Sequence, residues 1–122
     1  MIIMFIILFS FSYGQTWFNH SELNWKTFET DHFIMHYHQG TERSAREAAT
    51  IAENIYFKVT SYYEFEPYSK THIILKDVND TSNGVAYLFH DRIEISALPL
   101  DFRLRGSHRW LQNVIVHEFT HI

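Results

Sequence analysis

His117, Glu118 and His121 form the pattern His-Glu-x-x-His near the end of a 122-residue chain. On a helix, side chains four positions apart leave the same face about one turn apart. Two imidazoles at that spacing can converge on a single Zn²⁺, and the carboxylate between them can handle a proton on a metal-held water. The chemistry that these residue types support is metal-assisted hydrolysis, with His117 and His121 as ligands and Glu118 as general base. A catalytic zinc takes three protein ligands and keeps an open position for water. A third ligand is therefore expected beyond Ile122, and the chain is expected to be the N-terminal piece of a longer enzyme. Little or no catalysis is expected of the 122 residues alone, because two imidazoles hold zinc weakly.

The motif needs a helix to aim it. The lead-in Trp110-Leu111-Gln112-Asn113-Val114-Ile115-Val116 is apolar at helical spacing, so a helix is expected from about His108 to the end, capped by Ser107. Trp110, Val114, His117 and His121 fall on one face of it, and Leu111, Ile115, Phe119 and Ile122 on a second, core-facing one. The plainer reading is a helix with two surface histidines and a solvated glutamate. Against it stands the aliphatic lead-in, which marks a largely buried helix.

Upstream, residues 32–38 alternate as a strand ended by Gln39-Gly40. Thr41 is placed to cap a long helix from Glu42 to about Tyr63, whose Ala45, Ala48, Ala49, Ala52, Ile55, Tyr56, Val59, Tyr62 and Tyr63 recur at helical spacing. Pro67 forbids its continuation. The run Thr71-His72-Ile73-Ile74-Leu75-Lys76 is a buried strand, and residues 77–84 are a turn-rich loop. Residues 85–89 and 92–96 make a hairpin about His90-Asp91, and 98–106 is a connecting loop. Strand, long helix, strand, hairpin and motif helix together give an α+β fold, a mixed sheet covered by helices.

Composition narrows the partners. With 46% hydrophobic residues the chain can build a core, and a net charge of −4 without charge blocks argues against nucleic acid. It has no cysteine, which excludes thiolate zinc sites, disulfides and deformylase-like ligation. Residues 1–14 read as a signal peptide, with an apolar run too short to span a bilayer and small Ser12 and Gly14 before a cleavage point. An uncleaved anchor or a buried strand is the alternative. Residues 15–24 are a polar leader, and 25–122 carry the domain, so export with no stable membrane span after cleavage is expected.

Other residues weigh less. His36 and His38 share one strand face and could hold a metal, although exposed strand histidines are commoner. His32, His72, His90 and His108 read as isolated. Asp77, Asp80 and Asp91 lack the spacing of a calcium loop. No phosphate loop and no G-x-S-x-G elbow is present.

The segment Asn113 through His121 (NVIVHEFTH) resembles the active-site helix of the zincin metalloproteases, and more narrowly the gluzincin, peptidase MA-like group of exported bacterial proteins. Softer likenesses of order and hydrophobicity lie in Thr30 to Tyr37, in Ala48 to Glu53, and in Asn83 to Tyr87 followed by Ile93 to Ser96. The resemblance implies a zincin-like N-terminal subdomain, with Zn²⁺ bound by His117, His121 and a glutamate from a following helix. It implies a peptide or protein substrate laid along the edge strand at Gly84, Val85, Ala86 and Tyr87, extending to Leu88. It also implies a periplasmic, cell-envelope or secreted location, and in some members a β-propeller after the protease domain. A secreted binding module that keeps the fold without the activity remains the alternative.

Overall fold

The computed structural model describes residues 20–78, 83–97 and 109–122. The expected signal peptide, the first part of the leader, the middle of the turn-rich loop, the connecting loop and the Ser107 cap lie outside these residues. Among the described residues no helix is long and apolar enough to cross a membrane.

The strands are β1 (Trp25–Glu29), β2 (Phe33–His38), β3 (Thr71–Lys76), β4 (Gly84–Tyr87) and β5 (Arg92–Ser96); the helices are α1 (Glu42–Tyr63) and α2 (Trp110–Phe119). They build one mixed sheet of order β1-β2-β3-β5-β4. β2, β3 and β5 run parallel, and β1 and β4 close the two edges antiparallel. This is the expected α+β class. β1 was not foreseen: its Trp-Lys-Thr-Phe-Glu run is too polar to announce a strand, and pairing with β2 alone is what extends it. The hairpin is also shorter than expected, because Leu88–His90 turn into a 3₁₀ segment instead of continuing β4.

Period-two alternation divides the sheet into two unlike faces. Phe33, Met35, Ile73, Leu75, Ile93 and Ile95 point to one side and are almost completely buried there. Both helices share a core with them. α1 meets that face with Ala45, Ala48, Ala49 and Ala52, a smooth stripe that lets helix and sheet approach closely before Ile55 and Tyr56 widen the contact. α2 adds Leu111, Ile115 and Phe119 as expected, with Phe119 set edge-on to Phe33 at 5.3 Å. Val114 joins them, so the buried arc of α2 is wider than the sequence pattern suggests.

Local chemistry fixes the ends of α1. Thr41 stands at its N-cap, but the hydroxyl donates back to the His38 carbonyl at 2.8 Å and does not cap the helix. At the other end Glu64 takes a left-handed conformation (φ 52°), and its N–H returns to the Thr60 carbonyl. His32 at the entry to β2 clips onto α1: its Nδ1 lies 2.7 Å from Glu53 Oε2, its backbone N–H donates to Oε1 at 2.9 Å, and its ring stacks on Tyr56 at 3.7 Å. Burial pushes the Glu53 carboxyl up, but the bonds from His32 and Thr30 outweigh it and leave the carboxyl below its usual range. His32 is thus a fastening, not an isolated residue.

On the opposite face no described helix covers the sheet. His36 and His72, adjacent across the parallel β2–β3 pair, stack within 4° of coplanar with Nε2 and Nδ1 2.8 Å apart. His36 Nδ1 lies 3.0 Å from the Thr27 hydroxyl. Burial first, and the neighbouring His72 second, depress the His36 pKa. His38 makes no pair with His36. It is buried, with Nδ1 2.9 Å from the Gln39 carbonyl and Nε2 accepting from the Asp77 N–H at 3.0 Å, so both ring nitrogens are committed. The metal pair considered for His36 and His38 therefore does not form.

Two predictions follow from these contacts. Ala48→Leu should overfill the stripe and lower unfolding stability by about 1–3 kcal/mol, whereas Glu47→Leu on the exposed side should shift it by roughly 0.5 kcal/mol or less; urea midpoints decide. His36 has a folded-state pKa below its ordinary 6.5, so the unfolded chain takes up the proton first as pH falls. The stability of this region is complete above that value and declines below it. His36→Gln should flatten that acid-side slope in urea melts, and an unchanged slope would show that the stacked pair carries no linkage.

Candidate metal centre

α2 is held against the sheet by apolar contacts and by the Trp110 indole, which donates to the Ser96 carbonyl at 2.9 Å. The helix ends at Phe119, short of the chain end to which the sequence pattern extends it. Beyond that point the backbone tightens. The His121 N–H reaches the Glu118 carbonyl at 3.1 Å and the Ile122 N–H reaches Phe119 at 3.3 Å, each a three-residue step. The Thr120 hydroxyl donates to the His117 carbonyl at 2.6 Å. These bonds satisfy carbonyls that a helix C-terminus leaves open. They also keep His121 stacked one turn beyond His117 although it lies outside the helix proper.

The three motif side chains are brought together. Their ligand atoms all lie within 4.8 Å of one another. His117 Nε2 and His121 Nε2 are 3.4 Å apart, with the rings 5.0 Å between centroids and 79° between planes. A tetrahedral zinc with nitrogen arms of about 2.0–2.1 Å separates two of them by about 3.3–3.4 Å. The pair thus stands at the spacing the ion requires. Both histidines are exposed, while Glu118 is buried, with 7% of its surface exposed. Its carboxylate has no hydrogen bond or ion pair among the described residues. Two imidazoles are donors of borderline softness and suit Zn²⁺.

Gly84 explains where Glu118 sits. It opens β4 opposite Ile95, on the face that α2 covers. A Cβ there would collide with Val114 Cγ2 and lie 2.8 Å from Glu118 Oε1. Glycine therefore lets the edge strand press directly against the helix at the carboxylate. Ala86, two residues on, is again small and faces the core, while Val85 and Tyr87 point to the open face. Tyr87 lies under the Arg92 guanidinium at 4.2 Å. β4 is the outermost strand beyond β5, as the sequence reading had it.

Sequence reasoning chose Gly84 for the edge strand and missed its contact with Glu118. A glycine at an inward-facing strand position is the signal that could have found it. Asp91, expected only as a turn residue, takes a left-handed conformation (φ 44°) and accepts from the Ser69 hydroxyl at 3.0 Å. His90 is exposed and stands apart from every histidine cluster among the described residues.

Comparison with family models, curated proteins and solved structures finds no match to this chain.

Gly84→Ala should force α2 away from β4, lower stability by about 1–3 kcal/mol, and move the ring resonances of His117 and His121. Wild-type stability with unshifted rings would mean that the close approach does not position the motif.

Proposed function

We propose that this chain carries the zinc-binding and proton-transfer residues of a zincin-like, gluzincin-type metallopeptidase. The observation that carries the reading is the His117–His121 nitrogen pair at 3.4 Å beside a buried carboxylate that has no hydrogen-bond partner among the described residues. His117 and His121 would hold Zn²⁺, which supplies a Lewis acid and brings a water into the range where it ionises near neutral pH. A catalytic zinc takes one more protein ligand, and gluzincins supply it as a glutamate on a helix after the motif.

Glu118 has the proton work. Its carboxylate accepts a proton from the attacking water and passes it to the leaving amine as the peptide bond breaks. Burial beside Gly84 keeps competing water from one side of it. The substrate is an extended peptide, or the extended segment of a protein, added along the outer edge of β4 at Gly84, Val85, Ala86 and Tyr87. Backbone N–H and carbonyl groups of that edge would pair with it, and alternate side chains would meet the α2 side of the strand. The resemblance in the motif also supports an exported protein of the bacterial envelope, periplasm or exterior.

Co²⁺ or Zn²⁺ titration of the 122-residue chain should show one weak site, lost in His117→Ala and in His121→Ala. Tight one-to-one binding would contradict a two-imidazole site. In a protein that carries this chain together with a third zinc ligand, Glu118→Gln should retain metal and lose peptide hydrolysis by roughly 10²–10⁴-fold. Hydrolysis at the wild-type rate after that substitution would remove Glu118 as the base, and metal uptake without hydrolysis by the wild-type protein would point to a binding module on the same fold.

A further inference from the structure

The sheet face away from the helices holds a second feature that the hydrolytic reading does not use. A cavity of about 270 Å³ lies there, lined by Trp25, His36, Ile74, Lys76, Arg92 and Glu94 from four strands. Its walls are of two kinds. Trp25 and Ile74 offer flat and branched apolar surface. Lys76, Arg92 and Glu94 form an ion-paired row, in which Lys76 binds Glu94 and Arg92 Nε stands 3.3 Å from Glu94 Oε1.

Charge in this row is unbalanced: two fixed cations face one carboxylate, leaving a surplus of one positive charge in a chain whose net charge is −4. His36 adds no charge near neutral pH, because burial and His72 keep its imidazole deprotonated. The surplus lies with Arg92. Its Nε is buried and makes an ion pair with Glu94 off the hydrogen-bonding line, so that donor has no hydrogen bond. Its terminal nitrogens have no partner among the described residues, while the Tyr87 ring holds the plane of the guanidinium in place at 4.2 Å. A guanidinium fixed in this way is a planar fork for two parallel hydrogen bonds to a carboxylate.

We propose that this cavity binds a small monocarboxylate with a flat apolar body, a single-ring aromatic acid being the fitting class. One negative charge neutralises the surplus, and the Arg92 fork orients it. Trp25 and Ile74 take the ring. The volume lies just under the roughly 300–1,000 Å³ of small-molecule sites, which limits the body to about one ring. A phosphate would overcompensate the single charge and leave the apolar walls without a partner.

NMR titration of the metal-free full chain tests the assignment, with benzoate as probe and benzamide and inorganic phosphate as controls. Benzoate should give saturable shifts at the Trp25 indole and Arg92 side-chain N–H signals, with affinity about tenfold or more above either control. Arg92→Gln should weaken benzoate by a similar factor while leaving the signals of α2 unchanged. If that variant does not fold, Lys76→Gln and the wild-type comparison of benzoate with benzamide still decide. Equal binding of the neutral amide, phosphate binding as tight as benzoate, or benzoate shifts that never saturate would overturn the proposal.

Discussion

The seating of α2 against β4 and β5 is the contact on which the candidate site depends. Ten helical residues must bury Leu111, Ile115 and Phe119, close over Gly84 with Val114 and Glu118, and still leave His117 in solvent. A helix turns 100° per residue, so these demands leave little rotational freedom. A turn by one position would bury an imidazole and expose Phe119. The aromatic packing of Phe119 on Phe33 and Tyr56 sets the rotation, and the missing side chain of Gly84 sets the depth. The chemistry of the motif is thus fixed by groups that take no part in it.

Much of this architecture can be read from residue order because burial and period coincide. α1 runs over the residues its alanine stripe implies, and β3 is the apolar run between its turn signals. Where the two cues separate, the pattern loses its meaning. β1 is a polar strand defined by its neighbour, so nothing local announces it. The end of α2 is set by a switch to three-residue hydrogen bonds after Phe119, to which side-chain periodicity is blind. The histidines show the same limit more sharply. His36 and His38 share a strand face and invite pairing, yet His38 is used up by Gln39 and Asp77, and the partner of His36 is His72, thirty-six positions away. Only the parallel register of β2 on β3 creates that neighbour. The motif itself was legible because its three groups are local to one turn, and the Gly84 contact was not, because it joins two distant elements.

Alternation along β2, β3 and β5 also separates two kinds of chemistry. The face under the helices is apolar and carries the motif at its rim, where α2 meets the edge strand. The opposite face gathers His36, His72, Lys76, Arg92 and Glu94, polar groups that the core cannot accept. A one-residue slip of one of these strands would exchange its two sets and turn its polar side chains toward the helices. The charged residues therefore act against misregister as well as in their own contacts. Tyr87 and Arg92 extend this to β4, whose outward side chains belong to the charged face and whose inward ones, Gly84 and Ala86, belong to the helix.

The carboxylate of buried Glu118, like Thr71 Oγ1 and Arg92 Nε, makes no hydrogen bond among the described residues. A carboxyl group with so little exposure ordinarily has hydrogen-bond partners. Thr41, also buried, is by contrast satisfied twice over by the backbone of His38. At Glu118 the fold supplies none among the described residues, and the space a partner would occupy faces two imidazole nitrogens. Local conflicts of this kind concentrate where a group must remain available for something outside the fold. A cation arriving between His117 and His121 would give the carboxylate the charged neighbour it lacks. Binding there would couple occupancy of the site to the stability of α2.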